Sequence, residues 1–444
     1  MPKEKLLNRP SHINRFFKLD EYGTTVKTEI ISGITTFIAS VYLLAVVPGM
    51  LSDAGMPHSS ALAAVIIATA FSTILMGLYA NFPVVVAPGL GLSAFFAYTI
   101  CGPMGLSWQT ALGAVFVSGI VFMILTVTRV RQLIIDSVPE CLKISIGVGI
   151  GLFIAFIGFK NAGVIVSDPS NFVGLGNLKS PEVALFFIGL VLSSLLFSKQ
   201  IKGGLLISIL VTTVIGMFMG ITKVPAGLGD IVGLVPPIPK ETFGQLDIKG
   251  VFEYGIFAVI FTITIVDMFD NIGTLIGVSR KAKLIGADGK IKNLDKALIC
   301  DSIATTVGAV LGTSTATTYI ESATGVSEGG RTGLSAVTTG LLYLITLFFA
   351  PFFLMIPTQA TAPVLVIVGI LMLSDVAMIN FADFTEALPS FLTILLMPLT
   401  FSIAQGIAFG FISYSVIKVL TGKGKEVHPV MYLLTVCFII HFLV

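Results

Sequence analysis

Charged side chains are scarce in this 444-residue sequence: they make up 11% of it, against 55% hydrophobic residues. A typical soluble domain is about 25% charged, so the chain cannot cover a globular surface with water-facing groups, and a soluble fold is excluded. Cysteine is rare too. Cys101, Cys141, Cys300 and Cys437 lie in or beside apolar segments without CxxC spacing, which argues against a disulfide framework and against a zinc site. Histidine occurs only at His12, His58, His428 and His441, scattered over a tail, a loop and the C-terminal stretch, so no metal site and no cofactor are expected. The formal net charge of +2 gives no case for nucleic-acid binding. The first 27 residues hold no short apolar core followed by a cleavage site and read as a retained cytoplasmic tail.

What abounds is uninterrupted apolar sequence. A bilayer core of about 30 Å needs roughly 20 apolar residues per helix. Runs such as 183–197 and 205–221 are apolar on every face, without the alternation of a membrane-barrel strand. The reading is an all-α polytopic membrane protein with about 14 spans. They fall near 28–50, 60–80, 83–101, 108–128, 141–159, 182–198, 204–222, 253–279, 297–312, 314–328, 332–356, 359–374, 385–401 and 403–420. A last apolar stretch, 429–444, is short for a span and is a fifteenth helix, a re-entrant piece or an interfacial cover. With the N-terminus inside, only Lys160, Lys179, Lys223, Lys240 and Lys249 of the 26 basic residues fall on the outer side, in keeping with the positive-inside rule.

Two spans are interrupted. The third reads Pro83-Val-Val-Val-Ala-Pro88-Gly-Leu-Gly91-Leu-Ser93 and the tenth Gly312-Thr-Ser-Thr-Ala-Thr-Thr318-Tyr-Ile-Glu321. Each predicts a short strand followed by a half-helix, at corresponding places in two seven-span halves of opposite orientation. Paired interruptions of this kind point to a transporter's midplane site. Extended backbone at membrane depth is tolerated only where protein or a water-filled cavity satisfies it, and two short strands meeting there can pair. Their half-helices would then aim N-terminal amides at one place, able to hold a small polar solute. The competing reading is a packed helix kinked by Pro88 and the glycines.

Asp267, Asp270, Asp301 and Glu321 fall within apolar runs, where a central carboxylate costs roughly 2.5 to 3.5 kcal/mol on insertion scales. Asp267 and Asp270, three apart, lie on neighbouring parts of one helix face. Glu321 sits in the first turn of the tenth-span half-helix, where the helix start favours its anion and burial its neutral form, opposed influences that suit a proton carrier. The alternative for these acids, and above all for Asp267 and Asp301, is an interhelical hydrogen bond or permanent protonation. Arg331 reads as a topology anchor. The run Gly325-Val-Ser-Glu-Gly-Gly330-Arg331-Thr332 imitates a phosphate loop but lacks a βαβ context; uphill work would draw on an ion gradient rather than ATP.

At Ala87-Pro-Gly-Leu-Gly-Leu-Ser-Ala-Phe-Phe96, Phe269-Asp-Asn-Ile-Gly-Thr-Leu-Ile-Gly-Val278 and the run from Thr313 through Tyr319-Ile-Glu321-Ser to Gly329-Gly-Arg-Thr-Gly333, the sequence resembles the hypoxanthine/guanine/adenine permease branch of the nucleobase:cation symporter family. Glu29-Ile-Ile-Ser-Gly-Ile-Thr-Thr-Phe37 looks like the same branch, and the likeness runs from about residue 15 to 425. The resemblance implies two inverted seven-helix repeats split into a core domain (28–128, spans 1–4, and 253–356, spans 8–11) and a gate domain (129–222, spans 5–7, and 357–421, spans 12–14). Residues 1–27 are then a tail, 223–252 an extracytoplasmic loop and 422–444 a C-terminal segment. It also implies a carrier rather than an enzyme: proton-coupled import of a purine base, guanine or hypoxanthine favoured and adenine open, across the inner (plasma) membrane. Glu321 and Asp270 match the family's acidic base-binding positions, and Thr274 falls where some relatives carry a polar proton-linked residue. Asp270, Glu321, Thr274 and Asp267 are the candidates for proton coupling. Ser93 stands where many members of the branch have Asn, which bears on base recognition.

A purine offers a flat apolar face and an edge of N–H donors and ring acceptors. Glu321 and Asp270 can accept from the ring, the amides around Gly91, Leu92 and Ser93 and around Thr317, Thr318 and Tyr319 can donate, and Phe95, Phe96 or Tyr319 can stack. An unmatched buried polar group discriminates strongly between bases. The partners expected are a purine, protons and the lipid bilayer, with a homodimer as a candidate assembly. The rival readings are an anion transporter or channel of the same architecture, an intramembrane aspartyl protease, and a structural or signalling protein. Acids at the focus oppose the first, and the one Gly-x-Gly-Asp run, Gly227 to Asp230, lies in an expected loop.

Overall fold

In hydrocarbon a backbone has no partner but itself, so long apolar runs coil into helices, and helices make up most of the chain. The computed structural model describes residues 12–128, 130–253, 257–285 and 291–443; Lys3, Lys5, Arg9, Arg129 and Lys290, which entered the topology argument, lie outside them. The tail carries α1 (His12–Phe17). Then come α2 (Val26–Ser40), α3 (Leu43–Asp53) and α4 (His58–Leu75), the strand β1 (Val86–Pro88), and α5 (Leu90–Phe95), prolonged by a wider turn to Ile100. The first half continues through α6 (Trp108–Val127), α7 (Val130–Ser137), α8 (Glu140–Asn161), β2 (Ile165–Asp168), β3 (Phe172–Leu175), α9 (Pro181–Ser198) and α10 (Gly204–Phe218). The second half has α11 (Ile248–Glu253), α12 (Phe257–Ala282), α13 (Leu294–Leu311), β4 (Ala316–Thr318) and α14 (Ser322–Ser327). It ends with α15 (Gly333–Thr346), α16 (Ala350–Leu354), α17 (Thr358–Leu373), α18 (Phe384–Thr400), α19 (Ile403–Leu420) and α20 (Pro429–Leu443).

All fourteen expected spans carry helix, and among the described residues 9 are long and apolar enough to cross a membrane. The other five are α5, α10, α13, α14 and α18. The segment expected at 204–222 stops at Phe218 because Gly220 adopts a φ of +73° and the Ile221 amide turns back to the Gly216 carbonyl, the usual glycine stop. The loop after α8 holds the β2–β3 hairpin, whose turn is closed by Asp168 Oδ1 accepting from the Ser170 and Asn171 amides at 2.7 and 2.8 Å. The open stretch at the C-terminus is a helix, α20, packed on α19 and α7.

Packing divides the helices into two groups. α2, α4, α6, α12, α13, α14 and α15 pack mainly on one another, and α8, α9, α10, α17, α18 and α19 do the same. Small residues let helix backbones close up at the crossings. Inside the first group Gly77 and Gly333 meet backbone to backbone, and in the second Gly151 meets Gly369. Between the two halves of the first group β1 and β4 pair antiparallel, with Val86 opposite Thr318, Ala87 opposite Thr317 and Pro88 opposite Ala316. The two interrupted spans therefore cross as expected, and neither is a kinked continuous helix.

Candidate functional site

Burying two strands inside the bundle obliges each polar backbone group to find a partner. Gly89 N–H donates to the Thr315 carbonyl and Tyr319 N–H to that of Val85, both at 3.0 Å. Thr73 Oγ1 accepts from the Val86 amide at 3.0 Å and donates to the Val86 carbonyl at 3.1 Å, while Thr305 Oγ1 donates to the Ala316 carbonyl at 3.1 Å. These hydroxyls explain why a hydroxyl-rich, β-branched stretch sits at membrane depth. They complete the ladder on its outer edges.

Asp270 and Glu321 flank this crossing. Asp270, on α12, accepts from Thr317 Oγ1 at 3.0 Å; Glu321, at the start of α14, accepts at Oε1 from Tyr42 Oη at 2.6 Å. Both are half-buried, and the charge of Asp270 reaches the Glu321 carboxyl group. One turn further along α12, Gly273 is exposed, with open space where a Cβ would be, and Ile320 beside Glu321 is 52% exposed. The two acids thus sit partly exposed beside an open stretch of α12 at Gly273.

At one end of the bundle bonds join the two helix groups beside a cavity of about 130 Å³ lined by Asp53, His58, Tyr98 and Asn161. Tyr98 Oη donates to Asp53 Oδ2 at 2.6 Å and accepts from Asn161 Nδ2 at 2.8 Å. Thr99 Oγ1 donates to the Phe401 carbonyl at 2.6 Å, and Lys160 Nζ lies 4.9 Å from the Phe401 ring centre. A residue from α3, two from the end of the third span, two from the end of α8 and the turn before α19 meet here.

Several expected site residues sit elsewhere. Asp267 is 1% exposed and faces the interior, one turn behind Asp270. Ser93 is fully buried, and its Oγ shares a 2.6 Å hydrogen bond with Ser314 Oγ, tying one broken span to the other rather than facing a solute. Leu92, Phe95 and Phe96 are packed in the core, while Gly91 is the close approach to α8: a Cβ there would lie 2.6 Å from Ile150 Cγ2. The Thr318 and Tyr319 amides, expected to donate to a solute, are held by Asn271 Oδ1 and the Val85 carbonyl, and Tyr319 Oη donates to the Pro88 carbonyl at 2.5 Å. Thr274 is 8% exposed, one turn from Asp270. Leu90, Gly91 and Leu92 form the first turn of α5, the part of a helix whose amides have no intrahelical partner.

Sequence reasoning passed over three participants. Tyr42 holds Glu321, and its signal was a lone tyrosine in an apolar first span. Asn271 lies beside Asp270 in the sequence but points inward. Arg131 counted only as one of the basic residues of the inner side, yet it is 2% exposed. Among the described residues no group of His, Cys, Asp and Glu is suited to a metal ion.

Paired broken spans with acids at their crossing define a membrane transporter. The chain belongs to the Permease family, whose profile matches residues 27–409. It is 44% identical to adenine permease AdeP of Escherichia coli strain K12 over 96% of this chain and 95% of that one. It is 42% identical to guanine/hypoxanthine permease PbuO of Bacillus subtilis strain 168, over 96% of this chain and 100% of that one. The transmembrane domain of the cyanobacterial bicarbonate transporter BicA superposes with a TM-score of 0.64 at 16% identity, covering 85% of this chain and 97% of that domain. The fold is therefore that of the inverted-repeat transporters built from core and gate.

Proposed function

We propose that the chain imports purine nucleobases together with protons, guanine or hypoxanthine by preference and adenine within range, by alternating access in the inner membrane with its N-terminus cytoplasmic. The relatives named for adenine and for guanine/hypoxanthine transport support the substrate class. The observation that carries the reading is the pair of half-buried carboxyls, Asp270 and Glu321, on either side of the β1–β4 crossing. Each has one oxygen engaged, and a carboxylate has about four acceptor positions in all, so ring N–H groups find acceptors on both sides while the Leu90 to Leu92 amides meet ring acceptors. In this reading 28–128 and 253–356 form the core that carries the site, and 129–222 and 357–421 form the gate. Protonation of Asp270 or Glu321 from outside lowers the charge that must be closed into the membrane. Core then moves against gate and presents base and proton inward.

The test is uptake of radiolabelled base in vesicles, with adenine, guanine, hypoxanthine, xanthine and uracil as competitors, with and without a protonophore. Asp270→Asn and Glu321→Gln are each expected to reduce uptake to background while the protein stays in the membrane. Full activity in both variants would defeat the assignment, and bicarbonate uptake in place of base uptake would favour the anion-carrier reading.

A further inference from the structure

Behind Asp270 lies a second acidic cluster that the nucleobase site does not use. Asn271 joins the two. Its Oδ1 accepts from the Thr318 amide at 2.8 Å, a donor whose identity is unambiguous, so the other end of the amide must be the nitrogen. That nitrogen donates to Asp267 Oδ1 at 2.6 Å and to Asp301 Oδ2 at 2.8 Å. Two carboxyl groups therefore converge on one N–H2 group, with Asp267 1% exposed and Asp301 fully buried. The remaining oxygen of Asp301, Oδ1, is buried without a hydrogen-bond partner among the described residues.

One cation accompanies them. The Arg131 guanidinium lies 4.2 Å from the centre of the Phe122 ring, which packs against Ile265 and Met268 on either side of Asp267. Among the described residues its Nε, Nη1 and Nη2 are buried without hydrogen-bond partners, and its charge acts on Asp301 and Asp267. Asp270 on α12 and the Cys300 thiol on α13 are the other titratable groups sensing this pair among those described. Two carboxyls and one guanidinium are neutral as a set only when one carboxyl holds a proton. Arg131 belongs to α7, the segment joining α6 of one helix group to α8 of the other. Displacement of the groups relative to each other therefore pulls on the counter-ion.

We propose that the coupling proton, taken up at Asp270 or Glu321, is passed to and held by a buried pair, Asp267 and Asp301, that Arg131 is the counter-ion of the pair and leaves it when α7 moves, and that Asn271 relays the state of the pair to the nucleobase site. Withdrawal of Arg131 leaves two acids without a compensating charge, and each then requires a proton. The shared nitrogen of Asn271 loses an acceptor when a carboxyl turns donor, and the Asn271 oxygen that positions Thr317 and Thr318 shifts with it. Arg131 and Asn271 are positioning residues here. The inference rests on the symport reading above.

The experiment uses the full chain in proteoliposomes, with radiolabelled guanine or adenine as probe, and compares accumulation driven by a pH gradient with base exchange at equal pH. One coupled proton across a one-unit gradient accumulates base about tenfold. In Asp301→Asn that ratio is expected to fall to about 1 while exchange falls less than about threefold. Arg131→Met is expected to lose both, Arg131→Lys to keep both in part, and the Arg131→Met/Asp301→Asn double variant to regain exchange but not gradient-driven accumulation. Wild-type accumulation in Asp301→Asn or in Arg131→Met overturns the inference. So does loss of exchange in Asp301→Asn as deep as its loss of accumulation, or a double variant no better than Arg131→Met. A wild-type protein that exchanges base but ignores the gradient overturns the symport reading itself, and this inference with it.

Discussion

Tyr42 shows how one hydroxyl can hold a site in register. Its Oη donates to Glu321 at 2.6 Å from the first span, and its ring is buried in the core. A hydrogen bond to a charged partner contributes about 1.5 to 3 kcal/mol. Tyr42→Phe, which keeps the ring, is therefore expected to lower uptake efficiency about 10- to 100-fold with near-normal protein level, read from initial rates over a range of base concentrations. Legibility also differs residue by residue. That acids occupy positions 267, 270, 301 and 321 is plain from the sequence, because charge within an apolar run is a local signal. Which of them stays partly exposed is not, because Asp267 and Asp270 differ only in the rotation of α12 against α13 and β4.

At the scale of elements, close helix crossings and capped helix starts carry separable predictions. A methyl group added at Gly333 would run into the Gly77 carbonyl, whereas one added at Gly49 meets nothing within 4 Å. Overpacking of this kind costs about 1 to 3 kcal/mol, so Gly333→Ala is expected to lower the melting temperature in detergent and Gly49→Ala to leave it unchanged or raise it. Asp383 caps α18. Its carboxylate accepts from the Thr385 hydroxyl at 2.8 Å and the Thr385 amide at 2.9 Å, with Lys423 at 3.3 Å, and these bonds hold its pKa down to about 2. A group depressed in the folded state stabilises fully above its ordinary range, near pH 4, and progressively less as pH falls toward 2. Melting curves should therefore show Asp383→Asn below wild type at neutral pH, with the gap narrowing below about pH 4. The half-helices were legible from Pro88, the glycines and the β-branched run. The β2–β3 hairpin and α7 were not, since neither has the apolar length that marks a span.

On the scale of the whole molecule, the two helix groups are joined at both ends, at one by Tyr98 and Asn161 and at the other by the Lys202–Glu328 ion pair. Tyr98, Asp53 and Asn161, with Thr99 and Phe401, form the first of these junctions, and Cys101 comes soon after Thr99 in the chain. Removing one bond from that junction shifts the balance toward the alternative state by its share of the free energy, about tenfold for about 1.4 kcal/mol. In a variant with Cys141, Cys300 and Cys437 replaced by serine, Tyr98→Phe is expected to speed labelling of Cys101 by a membrane-impermeant maleimide by about that factor. An unchanged rate would show that these contacts do not hold that end together.

Apolar length, positive charge at loop ends and two interruptions by proline, glycine and β-branched residues determined by themselves that the chain crosses a membrane many times and breaks twice in matching places. Each of these is a property of neighbours along the chain. Tertiary structure alone decided that Ser93 meets Ser314, that Thr318 and Tyr319 spend their amides on protein, and that Arg131 turns inward to two buried acids. Those outcomes depend on strand register and helix rotation, which are set by contacts between residues as far apart as positions 86 and 318.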